Sequence, residues 1–462
     1  MKLANFSNGF AHFFKRALPS PFGIAIFLTI FVFLVALCFM KPPEISFLEH
    51  SKSLATQWNS GLFQSSLLTF AFQMAFMLVL GHTLALTKPF SKAIDFLTST
   101  FCRNTASAAF GVTFLTLIMA FFNWGLGLIF GAIFARKVGE YALQRQIPIN
   151  YPLIGAAGYS GLMVWHGGFS GSSLANVANP KDFESISKGL EIPNLPEAIY
   201  FSDTVFSPMN LAVSSVLLVI LPVVMYFIGK TKKTDSQNRD LTSKKPLAIT
   251  EKLIGAEKID HLKWLGLVFG GLILIVAFIL AIGNFSGVKF LNTNWINLAL
   301  LGLALMFHGS IKSFLDGLDN AITGAAGILV QFPLYFGILG IMKDSGLAAS
   351  LSQFFVEISN QTTYPIFTFI SAGILNVFVP SGGGQWAIQG PIILQSATEL
   401  GVPLNKSILA MAYGDQLTNM LQPFWALPLL GITGLKAKEI LPYTLVLMLI
   451  GSLIFMAGLL IF

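Results

Sequence analysis

Asp415 has the most chemistry to offer in this chain. It lies in Ala412-Tyr413-Gly414-Asp415-Gln416-Leu417-Thr418-Asn419, a polar run flanked by apolar sequence, and is the one Asp or Glu that the hydropathy pattern places inside a hydrocarbon span. An acid at that depth is expensive and marks an ion or substrate path. Burial in an apolar site favours the protonated form of a carboxyl, so Asp415 suits H⁺ transfer. Beside exposed carbonyls at Asn123, Gly125 and Asn376 it suits Na⁺ equally well. The spacing does not choose between the two ions.

A second group of polar residues could hold a carboxylate. Trp165-His166-Gly167-Gly168-Phe169-Ser170-Gly171-Ser172 continues into Ser173, and Val379-Pro380-Ser381-Gly382-Gly383-Gly384 continues into Gln385. Ser170, Ser172, Ser173, Ser381, Gln385, Thr418 and Asn419 offer neutral donors, as do the N–H groups of Gly382, Gly383 and Gly384. Trp165 and His166 stand beside them. No Lys or Arg is left for the membrane interior, so an anion must rely on dipoles and neutral donors, which suits one small carboxylate better than two or three. Trp165, Phe169, Trp386 and Trp425 could wall a pocket for a short alkyl tail. An enzyme is the competing reading, since His166, Asp415 and Ser170 contain the residue types of a triad. However, Gly168-Phe169-Ser170-Gly171-Ser172 ends in Ser where the hydrolase elbow needs Gly, and no strand precedes it. No phosphate-loop lysine motif supports an ATP-driven pump.

The elements that must position these residues are membrane helices. The 462 residues are 54% hydrophobic and 11% charged, with mean hydropathy +0.73, against about 25% charged in soluble proteins. Apolar runs of bilayer-spanning length recur. Nine crossings are predicted at 21–40, 62–86, 151–175, 205–228, 264–282, 295–309, 321–342, 407–433 and 441–461. A surface helix is expected over 5–18, with Phe6, Phe10, Phe13 and Phe14. With the N-terminus in the cytoplasm and the C-terminus in the periplasm of a bacterial inner membrane, 21 of the 28 Lys and Arg fall inside, as the positive-inside rule asks. The +7 charge is therefore an orientation signal, not a nucleic-acid footprint. Cys38 and Cys102 fall near opposite faces and suggest neither a disulfide nor a metal, and no cofactor is implied beyond the coupling ion.

Two further apolar stretches, 106–135 and 364–397, read as re-entrant hairpins because both flanks of each lie on one face. The chain also repeats an order of features. Gln73 and Gln331 precede hairpins with broken tips at Asn123-Trp124-Gly125-Leu126-Gly127 and Asn376 to Gly384, and an interrupted helix follows each, over 151–175 and 407–433. An odd number of crossings separates the copies. The fold expected is an all-α polytopic membrane protein, an inverted-topology repeat with two re-entrant hairpins and two interrupted helices. Its N-terminal repeat covers 1–228, its cytoplasmic linker 229–262 and its C-terminal repeat 263–462. Such breaks at matching places point to the central site of a secondary transporter.

At these motifs the chain resembles the bacterial short-chain fatty acid transporter family. The resemblance spans nearly the whole chain. It is carried by Asn123 to Gly127, Trp165 to Ser172, Gly324 to Pro333, Val379 to Gly384 and Gln422-Pro423-Phe424-Trp425-Ala426-Leu427-Pro428. It implies an uptake carrier for short monocarboxylates such as butyrate or acetoacetate, within a superfamily of ion-coupled carriers that often work as homodimers by an elevator motion. Two positions depart from the family's pattern, with Asp415 in place of Glu and Gln385 in place of His. Cysteines placed singly in the Asn123 and Ser381 segments should be labelled from opposite sides of the membrane. Labelling of both from one side would remove the inverted repeat.

Overall fold

The computed structural model describes residues 19–190, 192, 195–231, 255–283 and 292–462. Every regular element among them is helical. The expected surface helix over 5–18 and most of the basic linker lie outside the described residues. Among the described residues, seven helices are long and apolar enough to cross a membrane: Pro21–Phe39, Ser65–Ala85, Thr105–Phe122, Pro208–Thr231, Lys263–Ile282, Ile311–Asp344 and Ala437–Ile461. Thr293–His308, Tyr364–Phe378 and Pro423–Thr433 are shorter and also apolar. The outward faces of Pro21–Phe39 and Lys263–Ile282 carry exposed Phe27, Phe31, Phe269 and Phe278, as surfaces bathed in hydrocarbon must.

Both hairpins form, with arms longer than the apolar stretches suggested. The first consists of Thr105–Phe122 and Trp124–Gln144, turning at Asn123. Its second arm runs past the expected end at 135 because Glu140 holds Arg136 at 2.8 Å and Lys137 at 3.0 Å from adjacent turns. The second consists of Tyr364–Phe378 and Gly382–Glu399. Each hairpin is followed by an interrupted helix, and the second hairpin packs along the helix Leu404–Thr418 that follows it.

Among the described residues, the helices that escaped the sequence analysis include Phe47–Leu62, Lys88–Phe101, Ile311–Ile322 and Leu347–Glu357. They are amphipathic, and a search for runs of about 20 apolar residues passes over them. Phe47–Leu62 announces its start with a capping box, in which Ser46 Oγ accepts the Glu49 N–H and Glu49 accepts the Ser46 N–H.

Phe47–Leu62 crosses Ala326–Asp344 at a point where only glycine fits. A Cβ on Gly340 would stand 2.9 Å from Gly61 Cα and would strike the Gln57 carbonyl. Gly340→Val should therefore destabilise the protein by about 1–3 kcal/mol, as overpacking does. Gly271→Val, where an added Cβ meets nothing within 4 Å, should leave thermal unfolding in detergent unchanged. Equal melting temperatures for the two variants would show that the crossing can spread.

Candidate functional site

The site is built where two helices break. The first, Tyr151–Tyr159, tightens into a 3-10 turn at Ser160–Met163, loses helical form over 164–171 and resumes as Ser172–Val177. The second, Leu404–Thr418, tightens at Asn419–Leu421, bends at Gln422 and resumes as Pro423–Thr433. Pro423 has no N–H for the ladder, which makes this a natural restart.

Each half of the chain satisfies peptide groups that the other half frees. Gln416 Oε1 accepts the N–H groups of His166 at 2.9 Å and Gly167 at 3.3 Å. Asn210, on Pro208–Thr231, donates from Nδ2 to the carbonyls of Gly167 and Val205, both at 2.8 Å, while its Oδ1 accepts the Tyr413 hydroxyl at 2.9 Å. The Tyr159 hydroxyl reaches the Asn419 carbonyl at 2.8 Å, and Thr444 donates to the Met420 carbonyl at 2.7 Å. Asn210, Tyr413, Gln416 and Tyr159 were not foreseen as site residues. The available signal was their type, since a polar side chain inside an apolar span needs a partner.

At the centre, the Asp415 carboxylate bonds His166 Nδ1. The other ring nitrogen, Nε2, faces the Ser173 N–H at 3.2 Å and its Oγ at 2.9 Å. A backbone N–H can only donate, so Nε2 accepts and the ring proton sits on Nδ1, pointing at the carboxylate. His166, Asp415 and Ser173 are 0%, 1% and 0% exposed. Trp165 lies over the imidazole with ring centroids 4.4 Å apart. The order Asp–His–Ser has the look of a hydrolytic triad, but the serine is Ser173 and not the expected Ser170. Its own N–H occupies the lone pair that a general base would use. Ser170 is employed elsewhere and accepts the Trp124 N–H at 2.9 Å, at the start of the first hairpin's second arm.

The second hairpin brings its tip to the same place. Ser381 caps the helix Gly382–Glu399 by accepting the Gly384 N–H at 3.1 Å. Gly382 and Gly383 carry first-turn N–H groups that no residue of their own helix can satisfy. A Cβ on Gly382 would lie 2.9 Å from Trp165 Cη2, 3.1 Å from His166 Cε1 and 3.2 Å from Ser172 Oγ. The glycine is what allows this helix start to approach the first break. Trp165, His166, Ser172 and Ser173 from the first half and Gly382 from the second are therefore brought together.

Other expected members stand apart. Gln385 donates to the Ala372 carbonyl at 2.9 Å and to Gln389 Oε1 at 2.8 Å, tying the hairpin's arms together and turning away from its tip. The bare carbonyls expected at Asn123 and Gly125 are not there. Both residues begin a helix, a helix start presents N–H groups, and the Asn123 carbonyl already accepts the Gly127 N–H. Asn376 lies beside the main chain of Asp415, but the bare carbonyl expected of it is also taken. Its Nδ2 contacts the Asp415 carbonyl at 2.7 Å, Thr418 Oγ1 at 2.9 Å and Asn419 Oδ1 at 3.0 Å, and its own carbonyl accepts from Gln422. Asn376 Oδ1, Gln422 Oε1 and Asn419 Nδ2 are buried without a partner.

The expected aromatic wall divides in two. Trp165 and Trp425 join Trp124, with Trp124 5.1 Å from Trp425 and 6.1 Å from Trp165. This group meets Phe70 on Ser65–Ala85 and Phe332 on Ala326–Asp344, where Phe332 stacks on Phe424 at 3.9 Å. Phe169 instead packs against Phe121, Phe122, Phe201 and Phe206. Trp386 donates to Asn176 Oδ1 at 3.1 Å.

Comparison with known proteins identifies relatives along the whole chain. A family model described as a short chain fatty acid transporter matches residues 2–462. A chain of Escherichia coli (strain K12) named for short-chain fatty acid transport is 33% identical, covering all of both chains. One of the same description from Haemophilus influenzae is 34% identical over 97% of each.

Gln416→Met removes the acceptor for two buried N–H groups while keeping the side chain's length. It should lower stability by about 2–4 kcal/mol, measured by thermal unfolding in detergent. An unchanged midpoint would mean that the first break is held by other contacts.

Proposed function

Because the chain belongs to the short chain fatty acid transporter family, we propose that it imports a small monocarboxylate across the bacterial inner membrane as a secondary active carrier, with protons binding at the His166–Asp415 pair. The family's activity is transport and not catalysis. One observation carries the finer reading. Among the described residues, Asp415 is the only buried carboxylate, no Lys or Arg is buried, and both broken helices and one hairpin tip converge on it. A carboxylate at that depth is neutralised most simply by a proton. The coupling proton would go to the Asp415 carboxylate, because Nε2 of His166 is already held by the Ser173 N–H. The carboxylate of the substrate would meet Ser172 and the first-turn N–H groups of Gly382 and Gly383, because a helix N-terminus favours anions.

The order of elements supports alternating access. Hairpin and broken helix follow each other in both halves, over 105–144 and 151–177, then over 364–399 and 404–433. An inverted pair of such units would place the site at the interface between them.

A second reading has its own observation. The Asn376 amide nitrogen faces three oxygens at 2.7–3.0 Å, although an amide has two hydrogens to give. Turned over, this amide would complete a ring of oxygens suited to Na⁺, with the unpartnered Gln422 Oε1 nearby.

Proteoliposomes loaded under an imposed pH gradient without Na⁺, or a Na⁺ gradient at constant pH, separate the two. The proton reading expects labelled butyrate or acetoacetate to accumulate under the pH gradient alone. Asp415→Asn keeps an oxygen for His166 and removes the charge. It should abolish accumulation while leaving the melting temperature and substrate exchange in place. Full accumulation by this variant would demote Asp415 to a structural group.

A further inference from the structure

A cleft of about 550 Å³ opens between Lys88–Phe101 and the end of Trp124–Gln144, away from the site described above. Lys92, Asp95 and Phe96 line it from one helix, and Lys137, Glu140 and Arg145 from the other. Its charges are unequally spoken for. Glu140 is neutralised by Arg136 at 2.8 Å and Lys137 at 3.0 Å, and Arg136 also donates to the Ile432 carbonyl at 2.8 Å. Asp95 keeps its charge, with the Ser91 hydroxyl at 3.5 Å. Lys92 and Arg145 are both exposed, the Arg145 guanidinium lies 5.4 Å from the Tyr141 ring, and among the described residues no acid forms a salt bridge with either.

The cleft also sits at a definite depth. Trp124–Gln144 is apolar from Leu126 to Ala135 and then turns charged at Arg136, Lys137 and Glu140. That change marks where the hydrocarbon ends. Lys88–Phe101 is amphipathic and short, the form of a helix lying in the interface. Phe96, 72% exposed, lines the cleft from this helix, and the Tyr141 ring lines it from the other. Cations at the headgroup level with aromatic rings beside them match a molecule carrying a phosphate at one end and hydrocarbon at the other.

The geometry points to this cleft as a binding site for an anionic phospholipid, with the phosphate between Lys92 and Arg145 and an acyl chain against Phe96 and Tyr141. A soluble phosphate would use the cations and ignore the two rings.

The test uses the full chain reconstituted in nanodiscs of phosphatidylcholine with a minor fraction of phosphatidylglycerol, then transferred to detergent for native mass spectrometry of retained lipid. Phosphatidylglycerol should be retained in preference to phosphatidylcholine. Lys92→Gln with Arg145→Gln should weaken its retention roughly thirtyfold, from about one kilocalorie per cation near a charged surface. Phe96→Ser should weaken phosphatidylglycerol and leave inorganic phosphate without effect as a competitor. The melting temperature reports folding, and Lys181→Gln controls for loss of charge elsewhere. Equal retention of both lipids, an undiminished signal in the folded double variant, or displacement by millimolar inorganic phosphate would each overturn the proposal.

Discussion

Lipid donates and accepts no hydrogen bonds, so every peptide group released where a helix breaks must find a partner within the protein. That constraint organises this molecule. The first break is capped by Gln416 from the second, and the second is capped by Tyr159 from the first. Asn210 and Tyr413 extend the same logic to a third helix. Each buried break takes partners from the other, and the same meeting places Asp415 against His166.

The acid obeys the same rule in a stronger form. A buried carboxylate is costly to leave unmet, and here it receives the His166 Nδ1–H, while the far side of the ring is held by Ser173. The imidazole is thus fixed at both ends in one tautomer. Its bond to Asp415 makes it a joint between the two halves of the chain.

Much of this was legible in the residues. Asp415, His166 and the Gly-Ser runs stood out because polar residues are rare in apolar sequence, and the two hairpins were found from charge on their flanks. The amphipathic helices were missed because their mean hydropathy is ordinary, and only the Ser46–Glu49 capping box hints at one of them. Choosing Ser173 over Ser170 lay beyond reach, since both serines follow His166 within seven residues and only the path of 164–171 decides which meets the ring. The direction of backbone groups was misjudged at Asn123, because a broken tip in sequence reads alike whether the chain next presents carbonyls or N–H groups.

The two sides of the central aromatic cluster differ in how they are fastened. Trp124, Trp165 and Trp425 belong to the hairpin and broken helices, which are linked by the bonds around Gln416 and Asn210. Phe70 and Phe332 belong to helices packed on the opposite side. Rings in van der Waals contact trade one neighbour for another with little loss, whereas a buried amide bond does not. Shear between the two bodies would therefore slide along that greasy seam first, leaving the hydrogen-bonded core to travel as a single stiff block.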